Sequence, residues 1–251
     1  MTPLVLITGA SSGIGQAMAL HYAGVGCRLA LVARRRDAIQ AWLNENAICF
    51  ESYVIYSADV ADAGQMAQMA QACIAQQGLP DVVIANAGIS IGVDSSVPED
   101  LAVMAKILAT NVMGTATTFG PFIAPMVARG AGTLVGIGSV AGIRGLPGHG
   151  GYCASKAAVI SYCESLRGEL RASVTTLTPL TQNNQYTMPF LMQPEVFAEK
   201  AVGAIAAGCS YRVIPWQMGL VAKLLRLLPN AVFDRLFSGL PRKPRVTDTL
   251  S

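Results

Sequence analysis

Charged side chains are scarce in this sequence. Of its 251 residues, 13% are Asp, Glu, Lys or Arg, and 52% are hydrophobic. The 18 basic and 15 acidic residues leave a formal net charge of +3, which is too small to indicate a nucleic-acid-binding surface. The hydrophobic content is enough for a sheet buried on both faces, and it suggests that an apolar ligand or a partner subunit covers part of the surface.

Three further features are missing from the sequence. No uncharged apolar run reaches the ~20 residues of a membrane-spanning helix, and no basic leader or cleavage site precedes the first apolar run. The six cysteines, at positions 27, 49, 73, 153, 163 and 209, show no Cys-x-x-Cys spacing. We therefore expect a cytoplasmic protein with free thiols and without a metal site.

A glycine-rich segment follows the first apolar run. Residues 4–7 are continuously apolar, which is typical of a parallel strand covered on both faces. Gly9 permits a tight turn, Gly13 allows the backbone to approach a pyrophosphate, and Gly15 allows the next helix to lie close to the strand. The N-terminus of that helix then faces the anion. A plain turn between two core elements is the alternative, because the spacing differs from Gly-x-Gly-x-x-Gly.

The second predicted strand, residues 28–32, ends in Ala33 and three arginines. An NAD-binding site usually has a carboxylate here that binds the adenosine ribose, whereas a guanidinium suits a 2′-phosphate. We therefore predict that NADP is preferred over NAD, with Arg34 as the phosphate ligand; a nearby Asp37 and simple solvation of the arginines are the counterarguments. Asp59, after the third strand, is predicted either to bind the adenine amino group or to cap the next helix.

Tyr152 and Lys156 lie four residues apart at the start of a predicted long helix, so they share one helix face. A free phenol has a pKa of about 10, and a nearby ammonium group favours the phenolate and lowers that pKa. A tyrosine tuned in this way can exchange a proton with an alcohol or carbonyl oxygen. A half-buried tyrosine beside a solvated lysine is the alternative interpretation.

Strands and helices alternate four times in the first half of the chain, which predicts one doubly wound α/β sheet. Asn86-Ala87-Gly88 follows the fourth predicted strand, and Ser139 ends the fifth. Both lie at the edge where open parallel sheets bind ligands.

Together these motifs resemble the short-chain dehydrogenase/reductase family, in its shorter, single-domain branch. The matching residues cover about the first 180 positions: Thr8-Gly9-x-x-x-Gly13-x-Gly15, Asn86-Ala87-Gly88, Asn111, Ser139 and Tyr152-x-x-x-Lys156. The resemblance implies a single domain over residues 1–251 with a Rossmann-type parallel sheet of about seven strands and helices on both faces. It also implies a homodimer or homotetramer.

The resemblance also assigns residue roles. Tyr152 would be the general acid/base, and Lys156 would bind the nicotinamide ribose and tune Tyr152. Ser139 would polarise the substrate carbonyl, and Asn111 would support a water-linked proton relay. The implied cofactor-binding residues are Thr8, Gly9, Ser11, Ser12, Gly13, Ile14, Gly15, Arg34, Asp59, Val60, Asn86, Ala87, Gly88, Tyr152, Lys156, Pro179 and Thr181.

The C-terminal part departs from the family pattern. Leu180 replaces the glycine expected after Pro179, and Thr181 would take the role of the family's threonine at a shifted spacing. Residues 180–210 are predicted to include a substrate lid, and residues 216–251 an amphipathic extension. That extension would pack on the parent domain or a sister subunit, cover a hydrophobic substrate, or contact a membrane surface.

The sequence thus predicts an NADP(H)-dependent oxidoreductase that interconverts a carbonyl and a secondary alcohol on an apolar substrate. A cofactor-binding sensor or scaffold with little catalysis is the alternative, because of Leu180. A protein that uses its basic tail to bind a membrane or nucleic acid is a third, weaker hypothesis.

Overall fold

The computed structural model describes residues 2–48, 52–181, 192–237 and 243–245. The strands are β1 (Leu4–Thr8), β2 (Arg28–Ala33), β3 (Tyr53–Ser57), β4 (Val82–Ala85), β5 (Thr133–Gly136), β6 (Gly138–Ser139), β7 (Thr175–Thr181) and β8 (Tyr211–Val213). The α-helices are α1 (Gly13–Gly24), α2 (Arg36–Glu45), α3 (Ala63–Gln77), α4 (Asp100–Leu108), α5 (Gly114–Arg129), α6 (Gly150–Leu170), α7 (Pro194–Ala206), α8 (Trp216–Leu227) and α9 (Asn230–Phe237).

All of these strands pair in parallel in one sheet. Its order is β3-β2-β1-β4-β5-β7, with β8 also paired to β7. The short β6 continues β5 along β7 without a change of register, since Val135 pairs with Leu177 and Ser139 with Thr181. The eight segments therefore occupy seven strand positions, and the predicted doubly wound parallel sheet is confirmed.

Side chains along the first strand alternate between two cores. Val5 and Ile7 face the core that contains side chains of α1, α2 and α7. Leu4 and Leu6 face the core that contains side chains of α3, α5 and α6. Burying one such side chain contributes roughly 1.5–3 kcal/mol. Because both faces are covered, every residue of β1 is buried, which explains the unbroken apolar run in the sequence.

A π-helical turn, Ala109–Met113, interrupts the helical stretch between α4 and α5. Such turns are rare within helices and are frequent at functional sites. This one contains Asn111, whose side chain is fully buried. The turn therefore brings a polar side chain of the helical layer to the edge of the sheet where β4 ends.

The segment predicted as a substrate lid, residues 180–210, is only partly described. Residues 182–191 lie outside the described residues, and residues 192–206 lead into and form α7. The buried Ala198 and Ala201 of α7 belong to the same core as α1. The part of this segment from α7 onward therefore belongs to the helical layer, and the lid stays a prediction for the residues before α7.

The C-terminal extension packs on the parent domain through Arg144. Its guanidinium donates to the carbonyl oxygens of Leu225 and Leu228 at 2.6 and 2.9 Å, and it lies 4.0 Å from the ring centroid of Phe233. The opposite face of α8 leaves apolar side chains exposed, namely Trp216, Leu220, Leu224 and Leu227. None of the helices in the described part of the chain has the length and hydrophobicity needed to cross a bilayer.

Candidate active site

The glycine-rich loop connects β1 to α1 in the manner that anion binding requires. Gly9 and Gly13 have φ values of 67° and 58°, a region in which side chains with a Cβ are strained. A Cβ on Gly15 would overlap the Gly9 carbonyl oxygen and lie 2.6 Å from Asn86 Nδ2. The loop is therefore folded tightly, with the N-terminus of α1 facing outward toward any bound phosphate.

Two predicted cofactor residues hold this loop in place. Thr8 Oγ1 accepts hydrogen bonds from the backbone N–H groups of Asn86 and Ala87 at 3.1 and 3.2 Å. Asn86 Nδ2 donates to the carbonyl oxygens of Thr8 and Gly9 at 3.0 and 3.3 Å. These bonds fasten the end of β1 to the end of β4, so the loop and the Asn86-Ala87-Gly88 segment form one wall.

A cleft of about 350 Å³ runs along this edge of the sheet. Thirteen of the predicted cofactor residues line it: Gly9, Ser11, Ser12, Gly13, Ile14, Arg34, Asp59, Val60, Asn86, Ala87, Gly88, Tyr152 and Lys156. Thr8 and Gly15 lie behind this lining and support it. Pro179 and Thr181 belong to β7, with Thr181 paired to Ser139, and their side chains lie outside what the structure describes.

Arg34 and Asp59 meet at the far end of the cleft from Tyr152. Arg34 Nη1 lies 3.8 Å from Asp59 Oδ2, and the two side chains are 61% and 37% exposed. The suggestion that Asp59 caps the next helix is wrong, because the capping side chain is Asp62, which accepts from Gln65 N at 3.0 Å. Asp59 Oδ1 instead accepts from Ala61 N at 3.0 Å.

Asn111 joins three elements through its side-chain amide. Its Oδ1 accepts from Ile89 N at 2.8 Å, and its Nδ2 donates to Ile89 O and to Ser155 Oγ, both at 2.9 Å. The amide thus ties the π-helical turn to the Asn86-Ala87-Gly88 wall and to α6. Asn111 does not line the cleft itself, so a water-linked proton relay through this residue stays a prediction.

Tyr152, Lys156 and Ser139 are all buried at the end of β5 and β6. Lys156 Nζ donates to Ile137 O at 2.7 Å and lies 5.9 Å from the ring centroid of Tyr152. Ser139 Oγ accepts from Ala141 N at 3.2 Å, and the Ser139 side chain is close enough to Tyr152 to lower the pKa of its phenol. A Cβ on Gly88 would lie 3.6 Å from Lys156 Nζ, so glycine leaves room beside the ammonium group.

The prediction that Lys156 lowers the pKa of Tyr152 is wrong in this structure. Burial raises the pKa of Tyr152, and the hydrogen bond from Ser139 offsets only part of that rise. Burial also lowers the pKa of Lys156 to about 8. Both shifts have the same cause, because a desolvated site disfavours the phenolate and the ammonium alike. Sequence spacing places the two groups together, but it contains no information about their desolvation.

The structure adds cleft residues that sequence reasoning missed: Val32, Ala33, Arg35, Ala58, Ile89, Ser90, Thr110 and Ile137. Most of them follow or end strands whose C-terminal ends were already expected to bind a ligand. One more residue after the motifs at the strand ends would have included Ala58, Ile89 and Ile137, but not Thr110, which lies in the π-helical turn. The approach of residues 243–245 to this site had no signal in the sequence.

Comparisons with known proteins agree with this architecture. A family model described as short chain dehydrogenase matches residues 3–184. An uncharacterized oxidoreductase of Myxococcus xanthus is 36% identical over 238 residues, which cover 91% of this chain and 94% of that protein.

Two solved structures share the fold. One is a short-chain dehydrogenase/reductase of Burkholderia phymatum in complex with NAD, with a TM-score of 0.78, 23% identity and 97% of each chain covered. The other is a metagenomic short-chain oxidoreductase in complex with NADP, with a TM-score of 0.74 and 24% identity over 84% of this chain and 96% of that chain. The family match and the M. xanthus relative confirm an NAD(P)-binding oxidoreductase. The chain belongs to the short-chain dehydrogenase/reductase family.

Proposed function

We propose that this enzyme uses NADP(H) to interconvert a carbonyl and a secondary alcohol on a substrate with an apolar body, with Tyr152 as the general acid/base. The observation that carries this proposal is the position of Tyr152 and Lys156 side by side in the lining of the same cleft as the glycine-rich loop. A dinucleotide bound with its phosphates at the loop fits this cleft, because the glycine-rich loop and the N-terminus of α1 border the cleft that Tyr152 and Lys156 also line.

The bound nicotinamide supplies or accepts the hydride, and the protein's own groups manage the charge and the proton. During reduction, negative charge grows on the substrate oxygen. Hydroxyl donors from Ser139 and Tyr152 would stabilise that oxygen, and loss of one such donor typically costs about 2.7–4 kcal/mol. Tyr152 then gives its proton to that oxygen, after which the single hydroxyl donor of Ser139 can turn to the resulting phenolate.

Lys156 is suited to hold the nicotinamide ribose. One N–H of its ammonium group is directed at Ile137 O, and an ammonium group has three donors. The remaining two can bind ribose hydroxyls. A lysine pKa near 8 also means that a modest gain in hydrogen bonding or negative charge keeps the group protonated at neutral pH.

The preference for NADP rests on the arginines that follow β2. Arg34 and Arg35 both line the cleft, and Arg34 is exposed enough to turn from Asp59 to a phosphate. A permanently charged fork is suited to a phosphate group. Asp59 supports a preference for NAD instead. A carboxylate near the adenosine ribose accepts a hydrogen bond from the 2′-hydroxyl of NAD and repels the 2′-phosphate of NADP. Two arginines and one aspartate line this end of the cleft, so its net charge is positive and favours NADP.

The proposal is tested by assaying a panel of aliphatic and alicyclic ketones, with NADPH consumption as the measured activity. Tyr152→Phe should lower kcat at least ~100-fold, with the NADPH dissociation constant unchanged within about threefold. Tyr162→Phe is the matched control, since Tyr162 lies on the same helix and stacks on Phe119 away from the cleft. It should keep full activity.

Two results would contradict the proposal. One is a Tyr152→Phe enzyme that keeps more than a tenth of the wild-type kcat. The other is a wild-type protein that binds NADPH but reduces none of the ketones, which would favour the sensor alternative.

The oligomeric state and the location stay predictions: a homodimer or homotetramer, in the cytoplasm, with peripheral membrane contact through the C-terminal extension. The exposed apolar face of α8, flanked by Lys223 and Arg226, supports a membrane contact, because interfacial helices combine an apolar face with basic residues. Flotation with anionic liposomes, with and without Leu220→Ser/Leu224→Ser, measures that contact.

A further inference from the structure

Residues 243–245, near the C-terminus, lie beside the active site. Pro244 O accepts a hydrogen bond from Gly92 N at 3.0 Å. A Cβ on Gly92 would overlap the Lys243 carbonyl oxygen and lie 2.7 Å from the Pro244 carbonyl oxygen. The backbone of the tail therefore fits against the segment that follows Asn86-Ala87-Gly88, at a point where only glycine leaves space.

An ion pair anchors this contact. Arg245 Nε and Nη2 donate to the two carboxylate oxygens of Asp100 at 2.6 and 2.9 Å. The side chain of Asp100 is only 6% exposed, and its Oδ2 also accepts from Asp94 N at 2.8 Å. The paired guanidinium lowers the pKa of Asp100. A two-pronged bond to a shielded carboxylate fixes geometry as well as supplying energy.

The anchored segment places Lys243 against two residues of the cleft lining. Lys243 Nζ donates to Ser90 Oγ at 2.6 Å and lies 5.7 Å from the ring centroid of Tyr152. Since Lys156 Nζ lies 5.9 Å from the same centroid, the tyrosine has two ammonium groups within 6 Å. The Tyr152-x-x-x-Lys156 motif includes the first of these lysines and not Lys243.

In the described part of the chain, the ammonium group of Lys243 is hydrogen-bonded to Ser90 but has no ion-pair partner. Burial lowers the pKa of Lys243, which shows that the surroundings give the charge little compensation. A serine hydroxyl compensates a desolvated ammonium group only in part, whereas a carboxylate forms a stronger, charge-assisted hydrogen bond with it.

We propose that Lys243 is a substrate-recognition residue that binds a carboxylate of the substrate close to the carbonyl group that is reduced. The substrate class is then an oxo acid, or the corresponding hydroxy acid, with an apolar remainder. This deepens the proposed function and rests on it, because the position of the reacting carbonyl is taken from Tyr152. Residues 243–245 and Ser90 form the wall that carries the anion-binding group.

The proposal is tested with 3-oxohexanoate and its methyl ester, which differ in charge but share the reacting carbonyl. With NADPH, wild-type enzyme should show a higher kcat/KM for the acid. Lys243→Met should raise KM for the acid about 10- to 100-fold, the size expected for loss of a charge-assisted hydrogen bond, and leave the ester within twofold. Lys243→Arg should keep most of the preference for the acid over the ester. Lys223→Met, at an exposed lysine on α8, should leave kcat/KM for both substrates unchanged.

Gly92→Ala is a second route to the same result, because the added Cβ would displace the tail without touching Lys243's side chain. It should weaken acid selectivity as Lys243→Met does, with the thermal unfolding midpoint checked for both variants. Equal losses for acid and ester in Lys243→Met would overturn the proposal, since they indicate a structural role or an effect on Tyr152. An acid preference that survives Lys243→Met would overturn it as well.

Calorimetric titration of the NADP-loaded protein with hexanoate separates this proposal from the proposed function. Hexanoate binding that is lost in Lys243→Met and kept in Tyr152→Phe supports the anion site, even if neither oxo compound is reduced. Reduction of acid and ester alike, without hexanoate binding, contradicts the anion site and leaves the proposed function intact.

Discussion

Replacing Arg34 by alanine should weaken NADPH binding and leave NADH binding nearly unchanged. In the structure the guanidinium is paired with Asp59 across 3.8 Å, and both side chains are substantially exposed. A bound 2′-phosphate would compete with Asp59 for the guanidinium. The size of the effect therefore depends on which of the two anions gains more from it.

The two interactions differ in magnitude. Two unit charges 3.8 Å apart attract by about 1 kcal/mol in a water-like dielectric, which is also the upper end of measured surface pairs. A hydrogen bond to a charged phosphate contributes roughly 1.5–3 kcal/mol. The difference, about 0.5–2 kcal/mol, favours the phosphate and corresponds to a ~2- to 30-fold weaker NADPH complex for Arg34→Ala. NADH has no 2′-phosphate, so its dissociation constant should change by less than about twofold.

Fluorescence titration of each reduced cofactor at low salt measures both constants directly. Arg35→Ala is the matched comparison, because Arg35 also lines the cleft but has no ion pair with Asp59. Asp59→Asn should tighten NADPH binding, since it removes both the competing pair and a charge that repels the phosphate. Raising the salt concentration should narrow the gap between Arg34→Ala and wild type.

Equal weakening of NADH and NADPH binding in Arg34→Ala would refute a phosphate contact through Arg34, because it indicates a change in the loop. Wild-type protein that binds NADH more tightly than NADPH would remove the argument for NADP altogether. A loss confined to Arg35→Ala would keep the phosphate site and assign it to the neighbouring arginine.

Two further predictions concern stability. Arg144→Gln should speed proteolytic cleavage of α8 on the order of 30-fold. The substitution removes a charged donor to Leu225 O and Leu228 O and the stack on Phe233, which together contribute about 2 kcal/mol. An unchanged digestion pattern would contradict this role of Arg144. Burial raises the pKa of Cys73 to about 11 from an ordinary value of 9.0. The unfolded chain therefore loses this proton first, so between pH 9 and 11 the folded state binds more protons and stability falls as the pH rises. In urea unfolding with reductant present, Cys73→Val should gain on the order of 1 kcal/mol relative to wild type between pH 8 and pH 10, and a pH-independent difference would refute the assignment.

The fold was predictable because its strands are covered on both faces. Residues 4–7 form an unbroken apolar run, and a polar residue there would lie in one of the two cores. The predicted second strand, residues 28–32, ends within one residue of β2 (Arg28–Ala33). The interruption of the strand at Ile137, between β5 and β6, was not predicted; Ile137 N still bonds to Ala85 O of the neighbouring strand.

The candidate site was predictable wherever the requirement is local. A positive φ at Gly9 and at Gly13 is a property of single residues, and a four-residue spacing on a helix brings Tyr152 and Lys156 to one face. The role of the Asn111 side chain was not predictable in this way. Its partners are Ile89, 22 residues before it, and Ser155, 44 residues after it.

The sequence by itself determined the order of the elements, the glycine-rich turn and the placement of Tyr152 and Lys156 on one helix face, because each depends on residues close together in the chain. Only the tertiary structure decided the direction of the pKa shifts of Tyr152 and Lys156, since desolvation is produced by neighbours from many elements. It also decided the place of Lys243, whose partner Ser90 lies 153 residues away. The physical reason is the same in both cases: burial and long-range contact depend on how the packed layers meet, and no local pattern encodes that.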